Sequence, residues 1–339
     1  MAITIRQVAS LAQVSTTTVS YVLNGTGTVT EATRRRVLAA VTTLGYQPHH
    51  AARSMRGRSE TLGLVLQAHS DRLADPAYAE MLAGLADGSA KRGYLLLIAT
   101  VEAEEDEPQL CLSLAQTGRV DGLVLLDPWI DDQRARVLAN ADVPHVCAGP
   151  GPAGSSYVAL DGNSGAQQAV GHLLALGHRR IGLIQIPSEL ADSEPRYQGY
   201  AQALTQAGIA IEPELIVEAG RRQEDGYQAI GELLDLPEPP SAVLACSDDL
   251  AFGALHALHD AGLVVGSDVS LVGFDDLPLA AYTQPPLTTL RQPRRALGEQ
   301  LAELLDATIR DHTTPLRGIT LAPRLVVRKS SGPPKGQSS

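Results

Sequence analysis

A chain of 339 residues, 44% hydrophobic and 19% charged, has the length for a small domain plus a larger bilobed one and the apolar content to fold both. Its net charge of −11 divides unevenly: residues 1–58 carry seven arginines and one acid, Glu31, for +6, whereas the remainder carries −17, so a basic head precedes an acidic body. Cys111, Cys147 and Cys246 lie far apart with no paired spacing, which predicts free thiols and argues against a zinc site; a basic-then-apolar leader and an apolar run of about 20 residues are both lacking, so a cytoplasmic protein with no membrane partner is expected.

From the N-terminus, residues 4–24 read as two short helices and a tight turn. Val8 and Ala12 share one helical face, Val19 and Leu23 another, and Ser15 is placed to cap the second helix after Val14 fills the corner. Thr16, Thr17, Ser20 and Tyr21 are left on the outward face, where small polar side chains and a tyrosine can meet base edges in a major groove. A helical hairpin with a solvated polar face would read much the same. A third helix opens at Thr30, carries Val37, Val41 and Leu44 on one stripe and stops at Gly45, with Arg34, Arg35 and Arg36 in reach of a phosphate backbone. The stretch 45–58 that follows is too short and too polar to join a core.

In these residues the chain resembles the LacI/GalR family of bacterial transcription regulators. Residues 4–58 follow that family's opening pattern in order and spacing. The resemblance implies DNA contacts by Thr4, Ser15, Thr16, Thr17, Ser20, Tyr21, Asn24, Thr33, Arg53 and Met55. It also implies a hinge helix after the Tyr-x-Pro motif that forms on DNA, with Met55 as the apolar wedge in the minor groove where the family usually has leucine. Two departures stand out. Gln13 replaces a turn glycine, and Tyr21 replaces an arginine, so the operator read should differ from the family's common one.

Beyond Thr61, short apolar strands alternate with amphipathic helices. Strands are expected at 62–67, 94–100, 122–126 and 145–147, then at 180–185, 215–218, 242–245 and 270–274; helices are expected at 78–92, 163–176, 196–207, 226–234 and 250–261. Such alternation implies parallel sheets with right-handed crossovers and ligands at the carboxyl ends of strands. The blocks VDGLVLL, LDGNSGAQQAVGHLLALGHRRIGLI, RYQGYAQAL, SAVLACSDDLAFGAL, VSLVGFDDLPLAAYTQPPLTTLRQP and LAPRLVVRKSS extend the resemblance to about Ser330.

The fold class expected is thus an all-α helix-turn-helix DNA-binding domain joined to an α/β periplasmic-binding-protein-like core of two parallel-sheet subdomains. The divisions expected are 1–46 for the head, 47–60 for the hinge and linker, 61–330 for the effector-binding and dimerisation domain, and 331–339 for a disordered tail. Within the large domain, 61–161 with 290–322 forms the near lobe and 162–289 with 323–330 the distal one.

The resemblance places an effector cleft between these lobes. Arg196 in RYQGY would fork two donors to a ligand, Asp275 would accept from vicinal hydroxyls, and Ser247 with Asp248 would end another strand. In the near lobe Asp75 and Tyr78 form a corner, and Asp127 and Trp129 follow a strand end, Trp129 as an aromatic plate for a sugar or as packing beneath a loop. Of the pairs Asp248–Asp249 and Asp275–Asp276, each is expected to give one pocket group and one cap, not a metal site. No cofactor, metal or catalytic residue is predicted.

The function expected is a ligand-responsive transcriptional repressor that binds a pseudo-palindromic operator as a homodimer and is released by a small-molecule effector, a sugar by preference. A corepressor-dependent regulator of the same family is the alternative. From another class, a soluble sugar-binding protein would use the same core but not the basic head, and a hydrolase using Asp275 or Asp248 lacks a nucleophile–base pair.

Overall fold

The computed structural model describes residues 4–24, 27, 29–44, 59–68, 76–129, 131–311 and 315–335. The chain divides into two compact units, Met1–Ser59 and Glu60–Ser339. The first is a three-helix head: α1 (Ile5–Ala12), α2 (Thr16–Asn24) and α3 (Glu31–Leu44). Gln7 Oε1 accepts from Thr4 N at 2.7 Å to start α1, and Ser15 Oγ accepts from Thr18 N at 3.1 Å to cap α2. Val8, Ala12, Val19, Val22, Val37 and Ala40 form its core, with Leu23, Val41 and Leu44 packed at the margin. Between α1 and α2 the chain turns through Gln13 at φ 54°, a left-handed conformation that glycine would adopt without strain.

The second unit has two lobes, each built on a six-stranded sheet. In the near lobe, β1 (Thr61–Gln67), α4 (Pro76–Lys91), β2 (Leu95–Val101), α5 (Glu107–Gln116), β3 (Gly122–Leu126), α6 (Gln133–Asn140), β4 (His145–Ala148) and β5 (Ser156–Leu160) run in sequence. In the distal lobe, α7 (Gly162–Ala175), β6 (Ile181–Gln185), α8 (Ser193–Gln206), β7 (Ile216–Glu218), α9 (Gln223–Leu234), β8 (Ala242–Ala245), α10 (Asp248–Asp260), β9 (Ser270–Asp275) and β10 (Thr288–Arg291) follow. The chain then returns to the near lobe for α11 (Arg294–Arg310) and β11 (Gly318–Leu321), and ends in the distal lobe with β12 (Arg324–Val326). The sheet orders are β11-β5-β4-β3-β1-β2 and β12-β10-β9-β8-β6-β7. All pairings are parallel except that of β10 with β12. The near-continuous apolar runs of β1, β3 and β8 are those of strands covered on both faces.

Helices α4 and α11 lie backbone against backbone on the near sheet. A side chain at Gly298 would strike the Met81 carbonyl, and one at Gly84 the Arg295 carbonyl, so glycine at both positions permits the approach. Helices α5, α6 and α11 and strands β5 and β10–β12 add to the elements expected from periodicity. The chain crosses between lobes three times, at Asp161, at Gln292–Pro293 and at 322–323. Asp161 N donates to Leu321 O at 2.8 Å, joining the first crossing to the third.

The expected disordered tail from residue 331 is corrected at its start. Ser331 Oγ lies 2.9 Å from His172 Nε2. Gly332 O lies 2.8 Å from His178 Nε2 and accepts from Ser270 Oγ at 2.9 Å. Buried polar groups of the distal lobe hold this segment where its composition alone implies a free end.

Candidate functional site

The head presents Thr16 and Thr17, at the start of α2, and Tyr21, in its second turn, to solvent, with Ser20 partly covered on the same helix. Tyr21, 44% exposed, also lays its ring close to Gly27, whose φ of 76° favours glycine. Thr4 and Ser15 serve as caps as well as lying at helix starts, and Thr33, partly covered, donates its backbone N–H to Thr30 Oγ1 at 3.4 Å in the first turn of α3. Asn24 ends α2, its side chain outside the described set; Arg53, Met55, hinge positions 47–58 and Asp75 lie outside the described residues altogether.

In the large unit a cleft opens between the lobes at the carboxyl ends of their strands. Its unfilled space is about 790 Å³ with the solvent at its mouth included. Of the sequence-predicted residues the cleft brings together Tyr78, Asp127, Arg196, Ser247 and Asp275. Arg196, from the first turn of α8, is buried. Its Nη1 donates to Cys246 O at 2.5 Å, its Nη2 to Asp192 Oδ2 at 3.3 Å, and its guanidinium lies 4.6 Å over the Phe274 ring. Its Nε is buried without a hydrogen-bond partner among the described residues. Ser247 caps α10 by accepting from Leu250 N at 3.2 Å.

Asp248 is corrected. It is fully buried and turned away from the cleft, where its carboxylate accepts from Thr289 Oγ1 at 2.5 Å and from Leu277 N at 2.7 Å. Burial, and next the charge of Asp275, push its pKa up to about 7. The cleft is lined instead by its neighbour Asp249. Trp129 stands 39% exposed at the edge of this space, its backbone bridged to Leu190 of the other lobe.

Sequence reasoning missed Asp192, Arg221 and Arg294, all on the lining. Arg221 follows β7 and Arg294 follows β10, so the rule that ligands meet strand ends would have pointed to both. Asp192 stands four residues before Arg196, the spacing of a helical ion pair.

Behind the near-lobe wall sits a buried network. Arg134 Nη1 donates to Glu107 Oε1 at 2.8 Å, Nη2 to Asp132 Oδ2 at 2.6 Å and to Leu126 O at 2.9 Å. Burial alone would raise the Asp132 pKa; the bonds and charge of Arg134 outweigh it and hold the carboxyl below its ordinary value. Asp132 Oδ2 also accepts from Trp129 N at 3.3 Å, so one guanidinium fixes both ends of the 127–132 loop. Cys111, Cys147 and Cys246 are buried free thiols. Among the described residues no group of three or more His, Cys, Asp or Glu is placed to hold a metal ion, and no helix is long and apolar enough to cross a membrane.

The profile described as bacterial regulatory proteins, lacI family, matches residues 4–49, and that of the periplasmic binding protein-like domain matches residues 170–331. The HTH-type transcriptional regulator CelR of Thermobifida fusca is 36% identical over 334 residues, covering 96% of this chain and 98% of its own. The chain belongs to the lacI family of bacterial regulatory proteins. The HTH-type transcriptional repressor PurR of Mannheimia succiniciproducens is 33% identical over 331 residues, with 96% and 98% covered. Among solved structures, a CelR–cellobiose complex matches at TM-score 0.75 and 36% identity, covering 97% of this chain and 99% of that one. The lac repressor dimer bound to operator and the anti-inducer ONPF matches at TM-score 0.83 and 29% identity, covering 98% and 100%. This lacI-family chain is therefore a ligand-responsive, DNA-binding transcriptional regulator and not an enzyme.

Proposed function

We propose that this regulator is a cytoplasmic repressor that binds a pseudo-palindromic operator as a homodimer and releases it when a sugar enters the cleft. The reading rests above all on the cleft lining. Arginines and aspartates face one another there, Tyr78 is the sole aromatic residue on the lining among the described residues, and its hydroxyl is engaged by Asp127. A nucleobase needs a flat apolar face to stack on, whereas a polyol needs closely spaced donors and acceptors. The match to a cellobiose complex and to an operator-bound dimer supports the same direction.

In this reading Tyr78, Asp127, Arg196, Ser247, Asp249 and Asp275 meet the effector, and Thr16, Thr17, Ser20 and Tyr21 meet base edges, with Arg53 and Met55 acting from the hinge. Residues 1–46 read DNA, 47–60 connect, and 61–330 sense and dimerise. Support for a second copy comes from edge strand β2, where Leu95 is 58% and Ile98 41% exposed. Placement in the cytoplasm follows from the substrate of the head, genomic DNA.

The test is fluorescence anisotropy of the purified chain on its own upstream DNA, titrated with neutral sugars and nucleosides. Tight binding weakened by one sugar is expected, and Arg196→Lys should abolish the response while leaving DNA binding intact, because lysine cannot reproduce the forked donor geometry. Binding strengthened by a ligand would replace the inducer with a corepressor.

A further inference from the structure

Each lobe sends an arginine across the cleft to an aspartate of the other. Arg221 of the distal lobe donates through Nη1 to Asp127 Oδ2 of the near lobe at 3.1 Å, and that carboxylate also accepts from the Tyr78 hydroxyl. In the opposite sense, Arg294 of the near lobe pairs with Asp275 Oδ1 of the distal lobe, which accepts from Gln292 Nε2 at 2.5 Å as well. The second pair adjoins the Gln292–Pro293 crossing; the first lies apart from the crossings, with Trp129 and Leu190 bridged across the cleft beside it.

Both acceptors share a backbone peculiarity. Asp127 directly follows β3 with φ 42°, and Asp275 ends β9 with φ 137°. Side-chain-bearing residues adopt such angles at a cost and keep them where the surroundings impose them, as at clamps and switches. Each strand end is bent so that its carboxylate reaches across to the opposite lobe.

We propose that Arg221 is a positioning and specificity residue: with Asp127 it forms a latch that holds the lobes together before any effector arrives. The Arg294–Asp275 pair is short-tethered by the Gln292–Pro293 crossing, so Arg221–Asp127 is the contact that opening must break. An effector that keeps the lobes together has to replace it, accepting a hydrogen bond from Arg221 and donating one to Asp127. A neutral vicinal diol does both. A phosphate or carboxylate satisfies Arg221 but sets like charge against Asp127. This specificity rests on the sugar reading above; the latch itself does not.

The lone tryptophan of the chain, Trp129, lies at the bridged edge and reports on closure without ligand or DNA. The measurement is its emission maximum and acrylamide quenching in the full chain, for wild type, Arg221→Ala and Arg221→Lys, from about 0.05 to about 1 M salt, over which the screening length shrinks to about 3 Å. In wild type, low salt should give blue emission and weak quenching, with a reversible red shift as salt rises. Arg221→Ala should start at the red-shifted position and ignore salt, and Arg221→Lys should lie between. An Arg221→Ala spectrum and salt response identical to wild type would overturn the latch. If that variant fails to fold, the wild-type salt titration decides, an unmoved emission counting against it. Operator anisotropy on the same samples separates the two claims. Salt-sensitive Trp129 emission with no sugar affecting DNA binding would sink the sugar assignment and keep the latch; the converse would do the opposite.

Discussion

Asp248 and Asp249 are adjacent at the start of one helix and face opposite ways. Asp248 points into the distal lobe, tying Thr289 and Leu277 to α10, while Asp249 lines the cleft and accepts from Gln223 Nε2 at 3.1 Å. In the unfolded chain Asp248 releases its proton near 3.8, in the folded one near 7, so the folded state holds the extra proton between these values. Its contribution to stability is full below about pH 4 and fades as pH rises through about 7. Asp248→Asn should therefore cost less at pH 8 than at pH 5, measured as the difference in denaturant midpoint from wild type; an equal cost at both would show that Asp248 is not held protonated. The strand-end pattern was enough to find this carboxylate pair from sequence, but choosing its inward member depends on where helix α10 begins, which Ser247 sets by capping Leu250. Arg196 and Asp275 were legible because they follow strand-and-helix landmarks of the family. Arg221 stands after a strand end that the same rule marks, but its pairing with Asp127, nearly a hundred positions away in the other lobe, has no local signal.

Among the elements, the α1–α2 turn and the α4–α11 contact expose opposite uses of glycine. At Gln13 a side chain occupies a left-handed position, and Gln13→Gly should stabilise the head by up to about 1 kcal/mol by removing that conformational cost, read as a higher melting temperature of its helical signal. A lower melting temperature would mean that the glutamine side chain contributes contacts that outweigh the strain. At Gly298 the reverse holds. Gly298→Ala should destabilise the large unit by about 1–3 kcal/mol, because the added methyl meets the Met81 carbonyl rather than a yielding side chain. Unfolding by denaturant measures it, and an unchanged midpoint would refute backbone-to-backbone packing. The three head helices and most of the alternating strands were readable from periodicity and caps. Strands β5 and β10–β12 were not; β10 and β12 are made by pairing across the return of the chain, which no local pattern marks.

For the whole molecule, the charge division separates two tasks. The head has the positive charge that a phosphate backbone attracts, and the acidic body resists non-specific adhesion. Operator affinity should fall linearly in logarithmic terms as salt rises, and Arg36→Gln should flatten that slope by about 1 if this exposed side chain meets a phosphate. An unaltered slope would assign it to solvent.

The three crossings between lobes have a consequence of their own. A single tether would leave two bodies free to slide, twist and swing. Three converging tethers, two of them joined by the Asp161–Leu321 bond, remove most of those freedoms and leave nearly one. Whichever atom of an effector pulls, the outer faces of the lobes then travel along the same arc. That is how contact at any point of the cleft wall delivers one unvarying message.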